Sequence, residues 1–240
     1  MKTAAARLCG FLLVWAVILF TLAAAVYGIA GDGDLLSREM LRHAPPETTG
    51  LPEKEYPGVG RMTAAYLTGQ EENFQYIWTD ADDRGYIGFQ AHEADHMADC
   101  RELIGLAGTL RWITGAAALL LAGIGILLRS WKAFAGGMLT GLCAAGVLVA
   151  GIAVWALVNF DGLFITFHRV AFTNEGWLLD PRTDLLIRLM PVHFFVSLGI
   201  RIMIWILAAG FVLFCTGKCI HHAETRSNNG NGQLQSNDCV

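Results

Sequence analysis

The chain is poor in charged residues. Only 16% of its 240 residues are Asp, Glu, Lys or Arg, whereas 54% are hydrophobic. An ordinary soluble domain carries about 25% charged residues, so the composition excludes that class and indicates a protein whose solvent is the bilayer. The sequence also lacks a Gly-rich phosphate loop and a Gly-x-Ser-x-Gly elbow. Neither an ATP site nor a serine acyl-enzyme is therefore indicated.

Long apolar runs make up much of the chain instead. A helix needs about 20 apolar residues to cross a bilayer, and four runs approach that length: residues 8–29, 112–128, 134–157 and 194–215. We predict an all-α integral membrane protein with four transmembrane helices, forming one domain over residues 1–220. The first run could instead be a signal peptide, because Lys2 and Arg7 precede it. Its apolar character, however, continues past Ala23–Ala25 to Ile29.

The basic residues near the ends of the runs predict the orientation of the chain. Basic residues are retained on the cytoplasmic side of a membrane, and three segments carry them: Lys2 and Arg7, Arg129 and Lys132, and Lys218 and Arg226. Both termini are therefore predicted to be cytoplasmic. Residues 31–109 and 159–193 then form two extracytoplasmic loops. Because Cys100 is the one cysteine in these loops, no outer intramolecular disulfide is expected.

The loops have local patterns of their own. In the first, "DLLSREMLRHA" and "VGRMTAAYLTG" predict short helices lying on the membrane, and "NFQYIWT" and "YIGF" predict a small hairpin around the turn "DADDRG". In the second, Asp180-Pro181 is typical of a turn, and Thr183 is typical of a helix cap before Leu185. Residues 221–240 are polar and glycine-rich, which predicts a disordered cytoplasmic tail.

The stretch from His92 to His96, "HEADH", fits the His-Glu-x-x-His pattern of zinc proteases. On a helix His92, His96 and Asp99 share one face, with Glu93 one step around, while Cys100 belongs to the neighbouring apolar face. These residues are compatible with a metal site, with another kind of histidine site, or with an ordinary polar helix.

A second histidine, His168, lies among the phenylalanines of the other loop, which include Phe167. Aromatic rings collect at membrane interfaces, so Phe167 and Trp177 are more typical of interface anchors than of substrate contacts. His96 and His168 are expected to reach the same membrane surface from separate loops.

Arg201 falls inside the fourth apolar run, where an isolated charge is costly. Its side chain is expected to face the bundle interior, either as a partner of Asp180, Asp184 or a lipid head group, or in a structural ion pair.

Three motifs resemble those of a known family. "YL" falls at Tyr66-Leu67, Glu-x-x-His-Met-x-Asp runs from Glu93 to Asp99, and a long pattern, F-H-x-x-x-F-x-N-x-x-W-x-L-D-P-x-x-D-x-L-I-x-x-x-P-x-x-F-F, begins at Phe167. Over all of the chain except its tail, the sequence resembles the lipoprotein intramolecular transacylases of low-GC Gram-positive bacteria, which are small four-span membrane proteins. The family pattern does not include His92 and usually has valine at the position of Cys100.

The resemblance implies an acyltransferase without a cofactor or metal. It would move the sn-2 acyl chain of a diacylglyceryl-cysteine to the α-amine of the same N-terminal cysteine. The implied partners are diacylated bacterial lipoproteins and membrane lipid, not nucleic acid. We predict His168 as the general base, assisted by His96, with Asp99 or Glu93 orienting an imidazole. Other predicted site residues are the supporting Asn174, Asp180 and Arg201, and the substrate or interface residues Tyr66, Phe167 and Trp177.

Two rival functions remain at this point. One is a membrane zinc metallopeptidase that uses His92, His96 and Glu93, with Asp99, His168 or His193 as third ligand. The other is a non-catalytic membrane sensor or scaffold whose acidic outer loop binds a partner.

Overall fold

A computed structural model describes residues 1–79 and 84–237 of the chain. In this part it has nine α-helices and one two-stranded sheet. The helices are α1 (Lys2–Ala30), α2 (Gly33–His43), α3 (Pro46–Thr49), α4 (Tyr56–Leu67), α5 (Ala91–Leu128), α6 (Trp131–Val158), α7 (Phe160–Ala171), α8 (Leu185–Leu189) and α9 (Val192–Asn237). A 3-10 turn, Glu53–Glu55, precedes α4, and the strands are β1 (Ile77–Thr79) and β2 (Gly85–Ile87).

Four of the described helices, α1, α5, α6 and α9, are long and apolar enough to cross a membrane. This confirms the predicted all-α membrane fold. The helix predicted to lead into the second span is continuous with it, since α5 runs without interruption from Ala91 to Leu128. The polar stretch that carries the two histidines of "HEADH" is therefore the first turn and a half of a spanning helix.

The chain divides into two compact units. The first contains Met1–Leu22, Leu110–Val154 and Ile204–Val240. Its buried core includes Val14, Phe134 and Met138. A Cβ added at Gly137 would collide with the backbone carbonyl of Arg7, so glycine is what lets the backbones of α1 and α6 approach this closely.

The second unit contains Ala23–Thr109 and Trp155–Met203. Helices α2 and α4 pack on each other here, and a Cβ added at Gly60 would meet the backbone of Gly33 and the side chain of Ser37. The buried core of this unit is formed by residues from both predicted loops and the start of α9: Leu36, Met40, Leu51, Tyr56, Val59, Ala64, Tyr66, Phe74, Phe89, Met97, Leu185, Leu186, Leu189, Met190 and Phe194. The two segments that the sequence marks as separate loops therefore share one hydrophobic core.

The two strands lie where the sequence predicted a hairpin. They pair antiparallel with Trp78 opposite Tyr86, and the two rings are stacked with centroids 5.6 Å apart. The Asp-rich part of the predicted turn, residues 80–83, lies outside the described residues.

Two local predictions differ from the structure. The residue at the N-cap position of α8 is Asp184 and not Thr183, and its side chain makes no capping hydrogen bond. The Thr183 hydroxyl donates instead to the Asp184 carboxylate at 2.7 Å. The predicted disordered tail is helical as far as Asn237, as a continuation of α9. No proline interrupts residues 221–237, and extending a formed helix does not require a new nucleus.

Candidate active site

The start of α5 is held in place by the carboxylate of Glu93, which is fully buried. One oxygen accepts the backbone N–H of Gln90 at 2.7 Å, and the other accepts that of Leu186 at 2.6 Å. Gln90 immediately precedes α5, and Leu186 lies in the first turn of α8, so neither backbone N–H has a partner within its helix. Glu93 thus caps α5 and α8 together and fastens the second loop to the first. Both of its oxygens are used by backbone amides, so the expected role of orienting an imidazole is not what the structure gives Glu93.

The neighbouring His92 strengthens the same junction. Its Nε2 lies 3.0 Å from the buried carboxylate of Asp184. Burial raises the pKa of Asp184, but bonds from His92, Thr183 and the backbone of Asp180 outweigh it and hold the pKa below its ordinary value. His92 is therefore a structural partner of the segment before α8.

One helical turn further along α5, the ring of His96 turns inward and is only 7% exposed. Its Nε2 lies 3.6 Å from the Sγ of Cys100, one turn further on. Its Nδ1 is buried and, within the described residues, has no hydrogen-bond partner. An unpaired buried polar atom is costly and uncommon, and it often marks a functional position.

His168 lies in the last turn of α7, a helix capped at its start by the Asn159 side chain. Its Nδ1 is 2.8 Å from the carbonyl oxygen of Phe164. A carbonyl can only accept, so Nδ1 carries the proton in the neutral ring and Nε2 presents a lone pair. The ring is 7% exposed, and burial, partly opposed by the bond to Phe164, lowers the pKa of His168 below its ordinary value. At neutral pH this histidine is therefore a neutral imidazole whose Nε2 can take up a proton.

The two histidines meet inside the second unit. The centroids of their rings are 6.0 Å apart, and the planes are inclined by 35°. Phe172 covers both, with its centroid 5.2 Å from that of His96 and 5.5 Å from that of His168. Phe167 and Trp177 contact the His168 ring at 5.5 and 5.1 Å between centroids. Sequence patterns singled out all of these residues, although Phe172 stood out only as one of the aromatic residues around His168 and as part of the Phe-His-x-x-x-Phe motif.

Asp99 and Asn174 form a second bridge between the loops. The Nδ2 of Asn174 donates to Oδ2 of Asp99 at 2.8 Å, and its Oδ1 accepts the backbone N–H of Gly176 at 2.9 Å. Asp99 lies one turn beyond His96 and one residue before Cys100 on α5. The carboxylate thus positions the chain that follows His168, in addition to lending negative charge near the pair.

Arg201 has a partner that the sequence did not suggest. Its guanidinium donates to the Glu39 carboxylate at 2.7 Å, and Ser197 donates to the other oxygen at 2.8 Å. The expected partners are engaged elsewhere, since Asp180 binds Arg182 and Asp184 binds His92. Of the two roles predicted for Arg201, the structure therefore supports the ion pair.

Sequence reasoning missed Glu39, which is only 1% exposed. It lies on the apolar face of α2, between Leu36 and Met40, and a carboxylate at such a position was the available signal for a buried partner.

Tyr66 is also placed differently from expectation. Its ring is buried in the core, 5.2 Å from Phe74 between centroids and covered by the guanidinium of Arg101 at 5.0 Å. In this structure Tyr66 therefore packs in the hydrophobic core of the second unit. Val59 and Met62, which lie on α4 with Tyr66, also pack in or against this core.

The arrangement bears on the metal hypothesis. Across residues 1–79 and 84–237, no group of three or more His, Cys, Asp or Glu side chains is arranged to hold a metal ion. His92 and His96, the two ligands that a zinc protease would need, point to different partners, Asp184 and Cys100. The two histidines of the His-Glu-x-x-His pattern thus have separate partners in this structure.

Comparison with solved structures identifies the fold of the chain. The chain has the fold of the membrane-integral lipoprotein intramolecular transacylase Lit from Bacillus cereus, with a TM-score of 0.73 and 17% identity over 92% of this chain and 98% of that one. Two variants of that protein with a histidine replaced by arginine or alanine match with a TM-score of 0.70, at 17% and 15% identity. They cover 92% of this chain and 94% and 96% of their own. Together with its four helices that are long and apolar enough to cross a membrane, this fold makes the chain a multi-pass membrane protein.

A comparison with models of protein families identifies the family. The family model described as lipoprotein intramolecular transacylase Lit matches residues 11–195. The chain belongs to the Lit family of membrane acyltransferases that modify lipoproteins. No curated protein matches the sequence significantly.

Proposed function

We propose that the protein transfers the sn-2 acyl chain of an S-diacylglyceryl-cysteine lipoprotein to the α-amine of the same cysteine. The product is an N-acyl, S-monoacylglyceryl lipoprotein. The observation that carries this proposal is the buried pair of His96 and His168, 6.0 Å apart between centroids. Two imidazoles at this separation can act on one substrate, one as a base and the other as a hydrogen-bond donor, and family membership supplies the lipoprotein substrate.

His168 is the base in this reaction. An α-amine has a pKa near 7.7 to 8.0 and attacks only in its free form. As its nitrogen bonds to the ester carbonyl carbon, it becomes acidic and gives its proton to Nε2 of His168, the nitrogen left free by the bond to Phe164. Such a base typically contributes about 10² to 10⁴-fold to a rate.

His96 provides the complementary donor. The tetrahedral intermediate carries a negative oxygen, and the unpaired Nδ1 of His96 is the buried group available to bind it. When the intermediate collapses, the C–O bond to the glyceryl oxygen breaks, and that oxygen takes up the proton lost by the amine. One N–H and one ester become one amide and one hydroxyl, so substrate and product are isomers and no co-reactant is consumed.

Positioning supplies much of the remaining rate. Amine and ester belong to one molecule, and holding them in a reactive geometry is worth up to about 7 to 11 kcal/mol. Phe167 is 54% exposed and lies with Trp177 beside His168, so these rings are suited to contact the acyl chains. Nothing in this scheme requires a cofactor or metal.

The site is proposed to face the extracytoplasmic side, because the basic residues between α5 and α6 and at both termini favour the cytoplasm. Cysteines introduced at Glu175 and at Lys132 test this orientation. A membrane-impermeant maleimide should label position 175 on intact cells and position 132 only after lysis, and the reverse pattern would exclude the proposed orientation.

The reaction itself is tested on the purified protein with a synthetic diacylglyceryl-cysteine peptide. Because substrate and product have the same mass, fragment-ion mass spectra must locate the acyl chains. Mild alkali provides a second readout, since it removes ester-linked chains and leaves the amide-linked one. We expect one alkali-stable acyl chain on the cysteine nitrogen. A shortened peptide would indicate a peptidase, and an unchanged peptide would support the sensor or scaffold hypothesis.

A further inference from the structure

The thiol of Cys100 lies within hydrogen-bonding distance of one ring nitrogen of His96. Its Sγ lies 3.6 Å from Nε2, while Nδ1 of the same ring is buried without a partner in the described residues. Cys100 is half-buried, lies one turn beyond His96 on α5 and packs against the core of the second unit. This core fixes the thiol at the edge of the imidazole.

The contact has a consequence for the tautomer of His96. A neutral imidazole carries one N–H and one lone pair. A thiol donates weakly through S–H, and an imidazole lone pair is a better acceptor than a neutral sulfur. If the thiol donates to Nε2, the ring proton must lie on Nδ1.

We propose that Cys100 is a positioning residue that holds His96 in the Nδ1–H tautomer, with Nδ1–H free to donate to the oxyanion of the substrate. This inference rests on the function proposed above. Two different neighbours then fix the tautomers of the two histidines. The carbonyl of Phe164 leaves His168 with a lone pair on Nε2. The thiol of Cys100 leaves His96 with a donor on Nδ1. One ring accepts a proton and the other donates a hydrogen bond, which is the division that amine attack on an ester requires.

Two substitutions separate this role from simple packing. Cys100→Val has a similar size and apolar character but cannot donate a hydrogen bond. Cys100→Ser keeps a donor at the same position. A matched control is Cys143→Val, because Cys143 is exposed and belongs to the other unit.

Nitrogen NMR of histidine-labelled protein in detergent reads the tautomer directly, because protonated and unprotonated ring nitrogens have different ¹⁵N shifts. The His96 signals are identified by their loss in His96→Ala. We expect Nδ1–H in the wild type and in Cys100→Ser, and a shift toward Nε2–H in Cys100→Val. An Nε2–H ring in the wild type, or an unchanged tautomer in Cys100→Val, would overturn the proposal.

Kinetics give the second readout. We expect Cys100→Val to lower kcat about two- to tenfold, the range that loss of one weak hydrogen bond allows, with KM unchanged. Cys100→Ser should restore most of the rate, and Cys143→Val should not change it. Equal kcat in Cys100→Val and the wild type would contradict the positioning role. If the NMR result holds while the wild type itself transfers no acyl chain, the proposed function fails and the assignment of the tautomer stands.

Discussion

The carboxylate of Glu93 accepts the backbone N–H of Leu186 at 2.6 Å, across two segments that are far apart in the chain. This bond gives the glutamate of the zinc-protease sequence pattern a structural role. Glu93 caps two helices and His92 pairs with the segment before the second of them. His96 alone, of the three, turns toward His168.

Replacing Glu93 by Gln should destabilise the protein rather than remove a reacting group. The amide has one acceptor oxygen in place of two, so one buried backbone N–H loses its partner at a cost of about 1 to 3 kcal/mol. We expect a lower thermal unfolding midpoint in detergent, with activity per folded molecule retained. Glu102→Gln is the matched control, since Glu102 is exposed on the same helix. Normal stability together with lost activity would instead indicate that Glu93 takes part in the chemistry.

His92→Ala should remain active, and so should wild-type protein treated with a chelator. The His92 side chain is about half exposed, so its pairing with Asp184 contributes at most about 1 kcal/mol. Acyl transfer measured before and after chelation, and after addition of zinc, checks this directly. Inactivation by His92→Ala and by chelation would restore the metallopeptidase hypothesis, because losing either ligand breaks a zinc site.

His96→Ala and His168→Ala should each reduce acyl transfer by about 10² to 10⁴-fold while leaving the protein folded. The double variant should be no slower than the slower single variant, because groups that act as a unit are strongly non-additive. The measurement is the yield of the alkali-stable N-acyl product, and His222→Ala, at an exposed histidine, is the control. Near-normal conversion by His168→Ala would remove the second loop from the mechanism.

Much of this architecture could be predicted because the bilayer imposes simple rules. A spanning helix must be long and apolar, so α1, α5, α6 and α9 were visible as hydrophobic runs. The pairing of His96 with His168 was also accessible, since both lie in segments expected on one side of the membrane.

What the sequence could not give were the partners of buried polar groups. Glu39 and Arg201 lie on different helices, and no local pattern states which carboxylate a lone membrane arginine will meet. Likewise, Tyr66 matched a motif, but whether a ring faces a core or a surface depends on packing between α4 and its neighbours. The division of tasks within "HEADH" required the position of α8, which comes from the other loop.

The slope of log kcat against pH should show that the base is a buried histidine. The free amine alone makes log kcat rise with slope one up to its pKa, which is near 7.7 to 8.0 for an ordinary α-amine. Protonation of His168 adds a second unit of slope, and burial lowers the pKa of His168 below its ordinary value. Since an ordinary histidine titrates near about 6.5, the steeper limb should begin below that pH. A slope of two that already begins above it would contradict a buried, neutral His168.

The ion pair of Arg201 with Glu39 should stabilise the fold without acting in catalysis. Arg201→Met leaves a buried carboxylate without its main partner, at a cost of up to about 3 to 5 kcal/mol. Replacing both residues, as Glu39→Leu with Arg201→Met, should recover most of that loss because no charge remains buried. Arg38→Met, at an exposed arginine beside Glu39 on α2, should have little effect. Thermal unfolding in detergent measures all three.

Acid should abolish the difference between the wild type and Arg201→Met. Burial raises the pKa of Glu39, but bonds from Ser197 and Arg201 and the charge of Arg42 outweigh it, so the pKa lies below its ordinary value. A carboxyl whose pKa is depressed on folding contributes stability that is present above the unfolded pKa, about 4.3, and is lost as the pH falls through the folded value. The gap in unfolding midpoint between the two proteins should therefore be largest near pH 7 and should narrow with falling pH as Glu39 becomes protonated, first in the variant and then in the wild type. A gap that stays constant across this range would mean that Arg201 stabilises the protein through packing and not through the charge of Glu39.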